Sequence, residues 1–171
     1  MRKDNVNIIL NSLNSAKVEY LIVGGLAVVA YGYLRFTADM DIVIALTEEN
    51  IMRVVDVFVK LGYKPRVPVK IEDFANPEKR KEWSEKKNMI VFSLISEKFK
   101  TTPVDIFLSE PFDFQKEYKN AYWINLDKKL KVPFVNIDQL INMKSNSGRN
   151  KDIIDIENLL KIKAILNEKN K

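Results

Sequence analysis

Tyr20-Leu21-Ile22-Val23-Gly24-Gly25, followed after thirteen residues by Asp39-Met40-Asp41-Ile42, is the stretch that decides the fold of this chain. Tyr20–Val23 is a short continuous apolar run stopped by two glycines, the pattern of a buried strand. Leu26 to Leu34 resumes with alanines and is long enough for a short helix. Asp39 to Leu46 (DMDIVIAL) is rich in β-formers and predicts the next strand. Side chains two apart on a strand share a face, so Asp39 and Asp41 stand side by side. Two ionised carboxylates in a segment built to be buried repel each other and lose hydration, at a cost on the order of several kcal/mol. A hard divalent cation removes that cost, because Mg²⁺ takes carboxylate oxygens and keeps room for phosphate oxygens and water. Gly24 and Gly25 fall between strand and helix, where backbone can approach a triphosphate closely and a helix N-terminus favours an anion.

A third acid fits the same site. Asp105 lies in Val104-Asp105-Ile106, again a carboxylate flanked by apolar residues in a strand-like run. If that strand neighbours the Asp39/Asp41 strand, three acids converge on one or two metals. Metals so held activate an attacking hydroxyl and stabilise a leaving pyrophosphate.

The remaining segments supply the scaffold. Val6, Ile9, Leu10 and Leu13 recur at helical spacing after Asp4 or Asn5 as a cap. Thr47-Glu48-Glu49-Asn50 opens a helix with Ile51, Val54, Val55, Phe58 and Leu61 on its apolar face and Gly62 at its end. Residues 63–69 look extended, and Pro65 and Pro68 put them at a sheet edge. The charged segment 71–87 reads as an exposed helix or an ordered loop. Residues 88–96 and 104–108 are two more strands, and short strands are expected near 121–126 and 130–135. Asn136 caps a helix with Gln139 three residues on, and after a polar break a last helix runs from about Lys151 to Asn167. This order predicts a single domain over 1–171, α/β or α+β, with a mixed β-sheet flanked by helices and a short C-terminal helical element from about residue 136. No G-x-G-x-x-G follows the first strand, which argues against a Rossmann fold.

Composition narrows the chemistry. The chain has 171 residues, no cysteine and no histidine. Disulfides, thiolate metal sites, Cys nucleophiles, Ser-His-Asp triads and His-ligated zinc or haem are excluded. Carboxylates, Lys, Arg, hydroxyls and hard metals remain. The net charge of +5 suits a phosphate-bearing ligand without demonstrating one. The N-terminus carries no signal-peptide pattern, and the longest apolar run, Tyr20 to Leu34, is interrupted by glycines and shorter than the roughly 20 residues of a membrane span. A cytoplasmic protein with no membrane partner is expected.

The joint pattern resembles the polymerase-β-like nucleotidyltransferase superfamily, whose motif is a hydrophobic residue, Gly, Gly or Ser, a short interval, Asp-x-Asp or Asp-x-Glu, and later an isolated acid on a strand. Here these are Gly24, Gly25, Asp39, Asp41 and Asp105. Tyr31-Gly32, Arg35 and Thr37 extend the likeness to the AbiEii-type branch, which contains nucleotidyltransferase toxins of type IV toxin–antitoxin systems. Lincosamide-type antibiotic nucleotidyltransferases have a similar opening. Leu140 through Lys144, Arg149, Asp152, Asp155 and Leu159 resemble that branch's late Lys and D-x-x-D motifs. The thirteen-residue interval is at the long edge of the motif. The toxin-like relatives are commonly longer, so the part that recognises the acceptor is expected to be missing or supplied by another chain.

The resemblance implies a nucleotidyltransferase fold and a Mg²⁺-dependent (or Mn²⁺-dependent) transfer of a nucleotidyl group from an NTP, such as ATP, to a hydroxyl of tRNA, protein or a small molecule. It implies that Asp39, Asp41 and Asp105 hold metal and carry catalysis, and that Gly24, Gly25, Arg35, Thr37 and Lys144 bind the nucleotide. A toxin–antitoxin role with an antitoxin or other partner chain follows from the branch. Modification of a lincosamide-like or aminoglycoside-like antibiotic, or a catalytically silent nucleotide-binding or interaction module, are the other readings. Trp83 among Lys79, Arg80, Lys81, Lys86 and Lys87 would offer RNA a stacking platform, but the interleaved Glu78, Glu82 and Glu85 fit a solvated helix better.

Overall fold

The computed structural model describes residues 1–127 and 130–169. In chain order the elements are α1 (Lys3–Ser15), β1 (Tyr20–Ile22), α2 (Gly24–Ala30), β2 (Met40–Ile44), α3 (Glu48–Lys60), β3 (Tyr63–Pro65), a 3₁₀ turn (Ile71–Ala75), α4 (Pro77–Lys87), β4 (Val91–Ser96), β5 (Val104–Phe107), α5 (Phe114–Lys119), β6 (Tyr122–Asn125), β7 (Lys131–Phe134), α6 (Ile137–Ser147) and α7 (Asn150–Lys169). The strands form one mixed sheet in the order β3-β4-β5-β2-β1-β7-β6. Every residue of β1 is buried, as are Met40, Ile42, Val43 and Ile44 of β2. A strand apolar on both faces needs cover on both, and the helices provide it.

Local chemistry sets the boundaries. Thr47 caps α3 by accepting from the Asn50 N–H, with Glu48 and Glu49 in the first turn and Lys60 in the last. Asn136 caps α6 by accepting from the Gln139 N–H at 2.9 Å. Gly148, at φ +63°, ends α6 and redirects the chain into α7.

Several expectations change. α2 begins at Gly24 itself and stops at Ala30, so both glycines lie in its first turn instead of before it. Asp39 sits in a bend just before β2. α1 starts at Lys3 after Arg2, without the side-chain cap expected from Asp4 or Asn5. The short helix α5 was not expected from the aromatic-rich stretch; Asp113 caps it by accepting from the Lys116 N–H. The charged segment resolves into the 3₁₀ turn and α4, which Asn76 caps ahead of Pro77. Trp83 is only 4% exposed and stacks on Phe92 at 5.2 Å between ring centroids. Arg80 is buried beside it and donates to the Phe74 carbonyl at 2.6 Å. That face of α4 is core, which removes Trp83 as a stacking platform. β3, with Pro65, is an edge strand as expected.

Candidate active site

The acids meet at the entry ends of two parallel neighbours. β2 and β5 pair with Met40 opposite Val104, Asp41 opposite Asp105 and Ile42 opposite Ile106. Paired residues on adjacent strands project to the same face, so Asp41 and Asp105 are neighbours. The register is pinned on both sides: the Val23 N–H donates to the Asp41 carbonyl and the Met40 N–H to the Pro103 carbonyl, each at 3.0 Å. Asp39 lies just outside the ladder, near enough for its charge to act on both of the other acids.

The electrostatics follow from that crowding. Burial, then the charges of Asp39 and Asp105, push the Asp41 carboxyl up to about 6, against a hydrogen bond from the Gly25 N–H and the more distant Arg149. Burial also raises Asp105, opposed by a hydrogen bond from the Ser93 hydroxyl and by the charge of Arg66. β4 supplies that serine, since Ser93 is the residue opposite Asp105 on the other flank of β5.

The glycines make room. A Cβ on Gly24 would overlap the Asp41 carboxylate, and the residue's φ of +63° disfavours a side chain in any case. A Cβ on Gly25 would overlap the Thr37 hydroxyl and stand 2.9 Å from Arg35 Nη2. The Gly-Gly pair thus lets the start of α2 close over Asp41, Thr37 and Arg35.

Arg35 is held by Asp155. Its Nη2 donates to Asp155 Oδ2 at 2.9 Å, and its Nε stands 2.8 Å from Oδ1. Lys144, 4% exposed, bonds both Asp155 Oδ2 at 2.6 Å and Asp152 Oδ1 at 3.0 Å. Asp152 also accepts from Ser147 and from Arg149 Nε at 2.7 Å. Burial alone would raise the Asp152 carboxyl; these hydrogen bonds overcome it and hold the group well below the usual carboxylate range. The network ties the loop between α2 and β2 to both C-terminal helices. Lys144 and Arg35, expected on the nucleotide, are here spent on the D-x-x-D acids. Arg149, although paired with Asp152, has a side chain 59% exposed and close enough to feel the charges of Asp41 and Asp39, as Arg66 is to act on Asp105.

Ser93 and Arg66 were not expected, because only the register of β4 on β5 sets Ser93 opposite Asp105, and only the pairing of β3 with β4 brings Arg66 alongside. The donor set, three carboxylates with no nitrogen or sulfur ligand, is that of a hard divalent cation. Burial, with Asp39 and Asp105 close by, makes the Asp41 charge costly, and such a cation would relieve that cost. Among the described residues, however, no group of three acids is drawn together so as to hold a metal ion as it stands. The expected convergence is therefore one of face and neighbourhood, and not of a preassembled cage. A cavity of about 490 Å³, lined in part by Leu46, Arg80, Lys81 and Glu110, opens at the other ends of β2 and β5 and includes none of the acids.

Neither a family model nor a curated protein matches the chain by sequence. Solved structures do match by shape. The lincosamide antibiotic adenylyltransferase LnuA, in its lincomycin-bound form, superposes with a TM-score of 0.61 at 20% identity, over 95% of this chain and 98% of that one. This chain has the nucleotidyltransferase fold. An antigenic nucleotidyltransferase-like protein from Paracoccidioides brasiliensis shares that fold, with a TM-score of 0.54 at 19% identity, over 94% of this chain and 74% of its own. ANT(2″)-Ia in complex with adenylyl-2″-tobramycin gives 0.52 at 11% identity, over 97% of each chain. The expected fold class holds. Among the described residues no helix is long and apolar enough to cross a membrane.

Proposed function

We propose that this chain transfers a nucleotidyl group from an NTP to a hydroxyl acceptor. The pairing of Asp41 with Asp105 across β2 and β5, with Asp39 beside them, carries this reading: nothing in the core explains three crowded acids on one face. Asp39, Asp41 and Asp105 would hold Mg²⁺ or Mn²⁺, which when bound neutralises triphosphate oxygens and acidifies an acceptor hydroxyl. The chain's own groups do the rest. The exposed guanidinium of Arg149 meets the phosphates, while Lys144 and Arg35 position it by anchoring Asp152 and Asp155. Gly24, Gly25 and Thr37 shape the wall under the nucleotide. The acceptor oxygen bonds to the α-phosphorus as the bond to the bridging oxygen breaks and pyrophosphate leaves. Asp105, oriented by Ser93, takes the hydroxyl proton.

Two acceptor classes compete. The Arg35, Thr37 and D-x-x-D features support a toxin-like enzyme acting on tRNA or protein, with an antitoxin as partner. Near-complete overlap with LnuA and ANT(2″)-Ia supports a small antibiotic as acceptor. Incubation with each α-labelled NTP, Mg²⁺ and, separately, tRNA, total protein, a lincosamide or an aminoglycoside distinguishes them by where label appears. No label on any acceptor with any nucleotide would leave the silent binding module as the better reading.

A further inference from the structure

α7 is apolar on more than the face it buries. Asp152, Asp155 and Leu159 point inward, yet Ile153 is 57% exposed, Ile154 53%, Leu160 51% and Ile165 52%. Large apolar side chains exposed in a row along one helix mark an interaction face. At 100° per residue the outward stripe comprises Asn150, Ile153, Ile154, Glu157, Lys161, Ala164, Ile165 and Glu168, with Leu160 at its margin. All eight are exposed, and Asn150 and Glu168 are related by the same reversal as the rest. Among the described residues neither Glu157 nor Lys161 is in an ion pair.

The stripe is self-complementary when reversed about Leu159. Ile153 and Ile154 exchange places with Ile165 and Ala164, and Glu157 with Lys161. We infer that this face is the contact between two copies of the chain, paired through antiparallel α7 helices about a two-fold axis near residue 159. In that pairing the isoleucines at one end of the stripe meet Ile165 and Ala164 of the partner subunit. Glu157 meets Lys161 of the partner subunit, and by symmetry this occurs twice. Opposite charge at both crossings distinguishes this occupant from an arbitrary apolar partner: parallel pairing in register would set Glu157 against Glu157. The patch is smaller than the 20–30 residues a side of a standard interface, so the dimer is weak.

Sedimentation velocity on the full chain, from low micromolar to near-millimolar concentration, tests the pairing. Wild type should show a reversible monomer–dimer equilibrium. Glu157→Lys or Lys161→Glu makes both crossings repulsive and should weaken the dimer about tenfold or more, at 1.4 kcal/mol per tenfold. The double exchange Glu157→Lys/Lys161→Glu should restore it to near wild type. Ile154→Asp should abolish it with the circular dichroism spectrum unchanged, since the side chain is exposed in the monomer. A wild type monomeric throughout, an intact dimer in Ile154→Asp, or no recovery in the double exchange would overturn the proposal.

Discussion

Removing Asp155 should damage the fold more than removing Lys144, although both are buried. The network holds three cations, Arg35, Lys144 and Arg149, against two acids, Asp152 and Asp155. Asp155→Ala strips Arg35 of its carboxylate and leaves Lys144, 4% exposed, with Asp152 alone. Breaking a buried pair from one side costs about 3–5 kcal/mol. Arg35 is partly hydrated and Lys144 keeps one partner, which places the expected loss near ~3 kcal/mol. Lys144→Met conserves bulk and leaves two acids against two cations, Arg35 on Asp155 and Arg149 on Asp152. Its loss should be only ~1–2 kcal/mol. For a chain of this size, each kcal/mol shifts Tm by about 2–4 °C. Urea and thermal unfolding of both variants at neutral pH measure the two losses. If Lys144→Met proves as costly as Asp155→Ala, or Asp155→Ala is neutral, the charge accounting is wrong.

The remaining expectations are narrower. Asp41→Asn should stabilise the metal-free protein by ~2–3 kcal/mol near pH 7.5, from a raise of about two units at about 1.36 kcal/mol each. A raised acid is stabilising below its unfolded value and loses that contribution as pH rises through about 6, so the advantage of Asn should vanish near pH 4; urea melts in chelator at both pH values check it. Gly24→Ala should cost about 1–2 kcal/mol from its left-handed backbone, plus the displacement of Asp41, and the second part should shrink in an Asp41→Ala background. Trp83→Ala should cost about 3–5 kcal/mol by chemical denaturation yet leave nucleotide affinity of the folded protein unchanged, because α4 packs on Phe92 away from the acids.

Much of the fold is legible because its cues are local. The run Tyr20–Val23, the Thr47 and Asn136 caps and the edge prolines depend on neighbours within a few residues. Asp39, Asp41 and Asp105 were legible as isolated acids in apolar surroundings. Ser93 and Arg66 were not, since only sheet order brings them to Asp105. The pairing of Lys144 and Arg35 with Asp152 and Asp155 was not legible for a related reason: a cation near a phosphate-binding pattern looks free until the D-x-x-D acids fold back onto it. Trp83 looked exposed within a run of charges, but it stacks on Phe92, nine residues away in the chain.

The central claim is that Asp39, Asp41 and Asp105 hold a metal-bound nucleotide. Thermal melts of wild type and Asp39→Asn/Asp41→Asn, each with and without Mg²⁺–NTP, test it most directly. At 100 times the dissociation constant, ligand adds about 2.7 kcal/mol of stability, a rise of about 5–10 °C. The account predicts that rise in wild type and little of it in the double variant, which should itself be at least as stable as metal-free wild type. An equal ligand-induced rise in both proteins would contradict it.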